Sequence, residues 1–98
     1  MSTTKTLTLT ESLTIYQAAD QKTKLLDALA AGDALELDLS QVGEIDTAGL
    51  QLLLLTKREA AKAEKSLSIT AHSPAVREAI EFTHLATYFG DPLVISAR

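Results

Sequence analysis

A hydroxyl and a carboxylate stand side by side in residues 45–50, Ile-Asp-Thr-Ala-Gly-Leu, where a loop leads into an apolar helix. Either Asp46 or Thr47 can cap that helix by accepting a hydrogen bond from a free backbone N–H of its first turn. A negative Asp46 also suits the positive end of the helix dipole. Gly49 needs another explanation, because glycine in a helix costs about 1 kcal/mol relative to alanine. Its presence predicts the close approach of another backbone or of a partner.

Other residue sets that could do chemistry are sparse. The four glycines are scattered and form neither a phosphate-binding loop nor a dinucleotide fingerprint. The chain has no cysteine, and its two histidines, His72 and His84, cannot close a four-ligand zinc site. Serine, histidine and aspartate occur without nucleophile-elbow spacing, and Glu36 with Asp38 is typical of solvated strand residues. We therefore expect no catalysis, no cofactor and no metal.

Length and charge limit the classes of protein that remain. A chain of 98 residues has enough interior for one hydrophobic core, so residues 1–98 are expected to form a single domain. The net charge of −4 has the wrong sign for a protein that neutralises nucleic-acid phosphates. No apolar run has the length of a signal peptide or a membrane span, which predicts a cytoplasmic protein without membrane insertion.

Apolar periodicity predicts strands alternating with helices. The predicted strands are residues 6–10, 12–15, 35–39, 66–71 and 93–95, and the predicted helices are 17–31, 47 to about 65, and 74–83. The residues around Glu11 suit a bend or a loose hairpin between the first two strands, and this double strand gives an antiparallel edge. Most strands alternate apolar residues with Thr, Ser, Asp or Glu, so the helices should lie on one face. The predicted fold is α/β, a mixed four- to five-stranded sheet with about three to four helices packed on one face.

The second helix carries apolar side chains on two sides. Leu53 and Leu54 are expected to face the core, whereas Leu52 and Leu55 point to the far side with Gln51. Either a neighbouring helix covers Leu52 and Leu55, which is the commoner arrangement, or the two form an exposed patch that needs a binding partner.

The run from Leu35 to Leu53, with residues 45–50 at its centre, resembles the signature of the STAS domain, the family of bacterial anti-sigma factor antagonists. Residues 13–19 resemble the family's segment leading into its first helix, and residues 73–76 resemble the start of its third helix. The resemblance spans nearly the whole chain. It implies a mixed sheet with helices on one side.

In antagonists of this family, the residue after the motif aspartate is a serine or threonine that a partner kinase phosphorylates, and here that residue is Thr47. The resemblance implies a module that captures an anti-sigma factor or serine/threonine kinase-like regulator and releases it when Thr47 is phosphorylated. A phosphatase acting on Thr47 would reset the cycle. The partner-binding residues that this reading implies are Thr14, Asp46, Thr47, Ala48, Gly49, Gln51, Leu52 and Leu55.

Two positions depart from the family's pattern. Ala48 stands where many antagonists have serine, and Thr14 stands where some carry an aspartate that bears on kinase recognition. The sequence of residues 46–50 also resembles the small STAS subunit of a bacterial phospholipid-transport ABC system, which docks on its ATPase. STAS proteins that accompany chemotaxis-like or two-component signalling modules are a third alternative, mechanistically close to the first.

Overall fold

Three strands and three helices alternate along residues 3–83, which are the part of the chain that the computed structural model describes. The strands are β1 (Thr4–Thr8), β2 (Ala34–Leu39) and β3 (Ser66–His72), and the helices are α1 (Ala18–Ala30), α2 (Thr47–Lys62) and α3 (Pro74–Thr83). The strands form one sheet in the order β1-β2-β3, and both neighbouring pairs are parallel. The alternation of strand and helix is the expected way to join parallel neighbours, because such strands need a crossover connection.

The predicted hairpin between residues 6–10 and 12–15 is wrong. β1 pairs in parallel with β2, with Leu7 opposite Leu37. Within residues 3–83, the second segment contributes only an isolated parallel bridge between Leu13 and Ile45. Alternation within a segment indicates a strand but does not say which strand lies beside it. Within residues 3–83 the sheet therefore has three parallel strands instead of a mixed four or five. The strand predicted at residues 93–95 lies outside the described residues.

Buried and less buried residues alternate along strands β2 and β3. The buried residues of β2 and β3 all belong to the core, and they are Leu35, Leu37, Leu39, Leu67 and Ile69. Polar residues stand between them, and Glu36, Asp38 and Ser68 are half-buried. This is the one-sided burial that the alternation predicts, with an apolar face toward the core and a polar face opposite.

The helices complete the core with apolar side chains from one side of each. The buried members are Leu25, Ala28 and Leu29 from α1, Leu50, Leu52, Leu53 and Ala60 from α2, and Val76 and Ile80 from α3. α1 packs against α2. No helix within residues 3–83 has the length and apolar character needed to cross a membrane.

Local capping accounts for where two of the helices begin or end. The Ser73 hydroxyl accepts a hydrogen bond from the Val76 N–H at 3.1 Å, as expected for the residue before Pro74 at a helix start. α2 ends in paired hydrogen bonds from Lys65 N–H to the Ala60 carbonyl and from Glu64 N–H to the carbonyl three residues earlier. Glu64 takes a left-handed conformation with φ of 58°. The helices thus begin and end within a few residues of their predicted bounds.

Candidate functional site

Asp46 is the N-cap of α2, and both of its carboxylate oxygens accept hydrogen bonds from the backbone. Oδ1 accepts from the Gly49 N–H at 3.1 Å, and Oδ2 accepts from the Ile15 N–H at 3.0 Å. These hydrogen bonds hold the pKa of Asp46 below its ordinary value, and the bond from Ile15 contributes most. Asp46 therefore joins the segment before α1 to the first turn of α2 through an ionised side chain.

Gly49 is where another part of the chain comes closest to α2. A Cβ at this position would lie 2.0 Å from the Leu13 carbonyl oxygen, far inside contact distance. The same oxygen accepts a hydrogen bond from the Asp46 N–H at 3.1 Å, and the Leu13 N–H donates to the Glu44 carbonyl at 2.9 Å. The close approach that Gly49 predicts is thus made by this chain's own backbone. Gly49 is buried and serves the fold, and its role as a partner contact stays a prediction.

Thr14 begins a tight turn that ends the predicted second strand. Its hydroxyl donates to Gln17 Oε1 and accepts from the Tyr16 N–H at 3.3 Å, and the Gln17 N–H donates to the Thr14 carbonyl at 3.0 Å. Local hydrogen bonds of this kind compete with strand pairing, which explains why residues 12–15 make only one bridge. The turn leaves Ile15 68% exposed and Tyr16 91% exposed.

Thr47 is the first residue of α2 and its side chain is exposed. Its hydroxyl makes no hydrogen bond to any residue within 3–83. Gln51, one turn further along the same face of the helix, is exposed as well. A hydroxyl at the start of a helix is accessible to a modifying enzyme, and a phosphate there would gain from the helix dipole.

The other predicted contact residues are less accessible. Ala48 is half-buried, and Leu55 is half-buried and packed against the core. Leu52 is only 6% exposed and belongs to the core. The exposed-patch interpretation is therefore wrong for Leu52, which lies in the core. Of the predicted positions on α2, Thr47 and Gln51 are the two that are exposed.

Two grooves flank residues 44–46, which we call the motif ridge. The larger, of about 640 Å³, runs between the start of α2 and α3 and is lined by Gly43, Glu44, Ile45, Asp46, Thr47, Leu50, Ala75, Glu78, Ala79 and Phe82. The smaller, of about 340 Å³, lies toward the turn at Thr14 and is lined by Ser12, Thr14, Tyr16, Gln17 and the three ridge residues. The site is thus a ridge with a groove on either side.

Exposed apolar side chains border this ridge on both sides. The large hydrophobic residues that are exposed within residues 3–83 are Ile15, Tyr16 and Phe82. Tyr16 lines the smaller groove and Phe82 lines the larger one. The backbone N–H of Ile15 donates a hydrogen bond to the Asp46 carboxylate. Sequence reasoning missed all three. A signal was present for Phe82, since the chain has only four aromatic residues and this one lies between Glu81 and Thr83.

The Asp38 carboxylate is engaged by hydrogen bonds from a neighbouring residue. Asp38 accepts hydrogen bonds from the Ser40 hydroxyl at 2.6 Å and the Ser40 N–H at 2.9 Å, which lower its pKa. Across residues 3–83, no group of three or more histidine, aspartate or glutamate side chains is placed to share a metal ion. The motif ridge with its grooves is therefore the best-defined candidate site in that part of the chain.

Comparison with known proteins gives consistent relatives. The family described as "Mlab, STAS domain" matches residues 2–95. An anti-sigma factor antagonist from Mycobacterium paratuberculosis has a similar structure, with a TM-score of 0.79, 24% identity, and coverage of 98% of this chain and 84% of that chain. No curated protein sequence matches the chain.

The anti-sigma factor antagonist SpoIIAA is also similar, in two states. Its unphosphorylated form has a TM-score of 0.71 and 19% identity, covering 95% of this chain and 81% of that chain. The phosphorylated form of SpoIIAA, a cell fate determinant of Bacillus, has a TM-score of 0.67 and 18% identity, covering 95% of this chain and 84% of that chain. At these identities the likeness establishes a shared fold.

Proposed function

Because this chain belongs to the STAS domain family, we propose that it is a docking module whose binding to a regulatory protein is controlled at Thr47. The partner we propose is an anti-sigma factor or a serine/threonine kinase-like regulator. The observation that carries this proposal is the exposed Thr47, whose hydroxyl has no partner within residues 3–83, on a rigidly held helix start. The similar fold of the antagonist SpoIIAA, solved with and without phosphate, supports it.

Rigid presentation favours a docking role for this surface. The Asp46 carboxylate and the Leu13 carbonyl fasten the turn at Ile15 to the start of α2. A surface that is already ordered loses less conformational entropy when a partner binds. Thr47, Ile15 and Tyr16 can therefore act as parts of one preformed contact surface.

Phosphorylation of Thr47 would act on the interface more than on the fold. The phosphate would carry nearly two negative charges beside Asp46, while the first turn of α2 would compensate part of that charge. At the centre of a contact that includes the exposed Ile15 and Tyr16, the same charge would have to lose its hydration. This desolvation cost opposes binding, so the modified protein would release its partner. A phosphatase would restore the binding form.

The proposal is tested by capturing partners with tagged protein from its native cell extract. Mass spectrometry would identify the captured proteins and measure phosphate on the peptide that contains Thr47. We expect a kinase-like regulator or anti-sigma factor to be captured and a fraction of Thr47 to carry phosphate. Capture of neither class of protein, with Thr47 unmodified in every growth condition, would contradict the proposal.

A second candidate is docking on the ATPase of a phospholipid-transport ABC system. Two observations favour it, namely the Mlab name in the family description and the resemblance of residues 46–50 to the small STAS subunit of such systems. In that case the threonine hydroxyl would contact the ATPase directly and phosphorylation would not be required. Capture of an ABC ATPase together with unmodified Thr47 would favour this candidate over the first.

A further inference from the structure

Two carboxylates in the larger groove have no charged partner within residues 3–83. Glu44 on the motif ridge and Glu78 on α3 both line this groove, and both are exposed. Neither side chain makes an ion pair or a hydrogen bond with any residue in the part of the chain that the structure describes. Among the described residues, no lysine or arginine lines the groove. The described lining of the groove therefore carries two negative charges and no positive one.

The same groove has an apolar lining. Leu50 and Ile45 contribute from the α2 side, and Ala75 and Ala79 contribute small side chains from α3. Phe82, which is 86% exposed, stands at the edge. Apolar area of this kind accepts an apolar side chain, while the carboxylates select the charge of the group beside it.

We infer that the groove between α2 and α3 docks a protein segment that carries an arginine or lysine next to an apolar side chain. The cation would lie between the carboxylates of Glu44 and Glu78, and the apolar side chain would contact Phe82 and the small residues of α3. Arginine suits the site best, because its guanidinium pairs with carboxylates and also stacks on aromatic faces. This inference rests on the proposed docking function and specifies the chemistry of the partner.

Thr47 also lines this groove, which relates the inferred contact to the proposed switch. A phosphate on Thr47 would attract the partner's cation, but its volume and its hydration would occupy the space that the apolar side chain needs. The effect of the phosphate depends on modification of Thr47, whereas the charge selection depends on Glu44 and Glu78. Loss of Glu44 and Glu78 removes the charge selection whether or not Thr47 is modified.

The probe is a random peptide library displayed on phage and selected on the full-length protein. We expect the recovered peptides to be enriched in arginine or lysine adjacent to Leu, Ile or Phe. Synthetic peptides of those sequences should bind Glu44→Lys/Glu78→Lys about tenfold more weakly than the unsubstituted protein. They should also bind more weakly when the ionic strength is raised from about 0.05 M to about 0.5 M.

Asp27→Lys/Glu64→Lys is the matched control. It changes the net charge by the same amount, and both of its side chains are exposed and outside the groove. Equal loss of binding in both double variants would mean that overall charge decides, and would overturn the inference. Recovery of peptides without basic residues, or recovery of none, would also overturn it. So would a wild-type dimer in sedimentation that Glu44→Lys/Glu78→Lys dissociates, because a second copy would then fill the groove.

The two proposals can fail separately. If Thr47→Glu abolishes partner binding while Glu44→Lys/Glu78→Lys leaves peptide binding unchanged, control of docking at Thr47 is supported and the cation contact is contradicted. If Glu44→Lys/Glu78→Lys weakens peptide binding while Thr47→Glu does not change binding of the captured partner, the cation contact is supported and control of docking at Thr47 is contradicted.

Discussion

The Leu13 carbonyl lies so close to Gly49 that there is no room for a side chain at residue 49. A Cβ at residue 49 would lie 2.0 Å from the Leu13 oxygen, which is itself held by the Asp46 N–H. We expect Gly49→Ala to lower the free energy of unfolding by about 3 kcal/mol, because backbone atoms must move to admit the methyl group. Urea unfolding followed by circular dichroism measures this change.

Gly43→Ala is the control for that substitution. No atom lies within 4 Å of a Cβ at Gly43, so its unfolding free energy should change by less than about 1 kcal/mol. Equal effects of the two alanine substitutions would show that the approach of Leu13 does not constrain residue 49.

Asp46 should make the stability of the protein depend on pH in the acid range. Hydrogen bonds from Ile15 and Gly49 lower its pKa in the folded protein, below the value of about 3.9 expected in the unfolded chain. Between these two pKa values the unfolded chain binds more protons, so this contribution to stability is complete above about pH 4 and is lost as pH falls through the folded-state pKa.

The test compares the wild type with Asp46→Asn by urea unfolding over a series of pH values from neutral to acid. We expect the wild type to be more stable at neutral pH and its advantage to shrink in acid. Asp38, whose pKa is also lowered, is present in both proteins and cancels in the comparison. An advantage that stays constant with pH would contradict the assigned role of the Asp46 carboxylate.

At the scale of the elements, the turn that follows helix α2 contains a residue that is poorly suited to its backbone. Glu64 has φ of 58°, a region where a side chain costs about 1 kcal/mol and glycine costs little. We expect Glu64→Gly to raise the free energy of unfolding by about 1 kcal/mol. Glu64→Ala keeps the Cβ and should give no such gain. Equal unfolding free energies for the glycine and alanine variants would contradict this reading of the helix end.

Helix positions followed from the sequence because capping and helical periodicity are local. Asp46 and Ser73 each precede an apolar periodic run, and each accepts a hydrogen bond from the first turn as expected. The second predicted strand failed for a local reason that the pattern concealed. The Thr14 hydroxyl bonds within its own turn, so alternation at residues 12–15 did not lead to a strand.

At the scale of the whole molecule, strand pairing and the outline of the site depend on contacts between distant segments. The backbone of β1 pairs with that of β2. Nothing in the sequence of residues 6–10 indicated that β2 would be its neighbour. Motif residues Asp46 and Thr47 were recognisable because they lie together in the chain. Tyr16, Glu78 and Phe82 were not, because only folding brings their segments to the two sides of the motif ridge.

The central claim is that a charge at Thr47 controls docking while the fold is unaffected. The most direct measurement is the affinity of the captured partner for the wild type, Thr47→Glu and the control Thr47→Ser by isothermal titration calorimetry, with circular dichroism melts of all three. We expect Thr47→Ser to bind like the wild type and Thr47→Glu to bind at least about a hundredfold more weakly at unchanged melting temperature. Equal affinities for Thr47→Glu and the wild type would contradict the account.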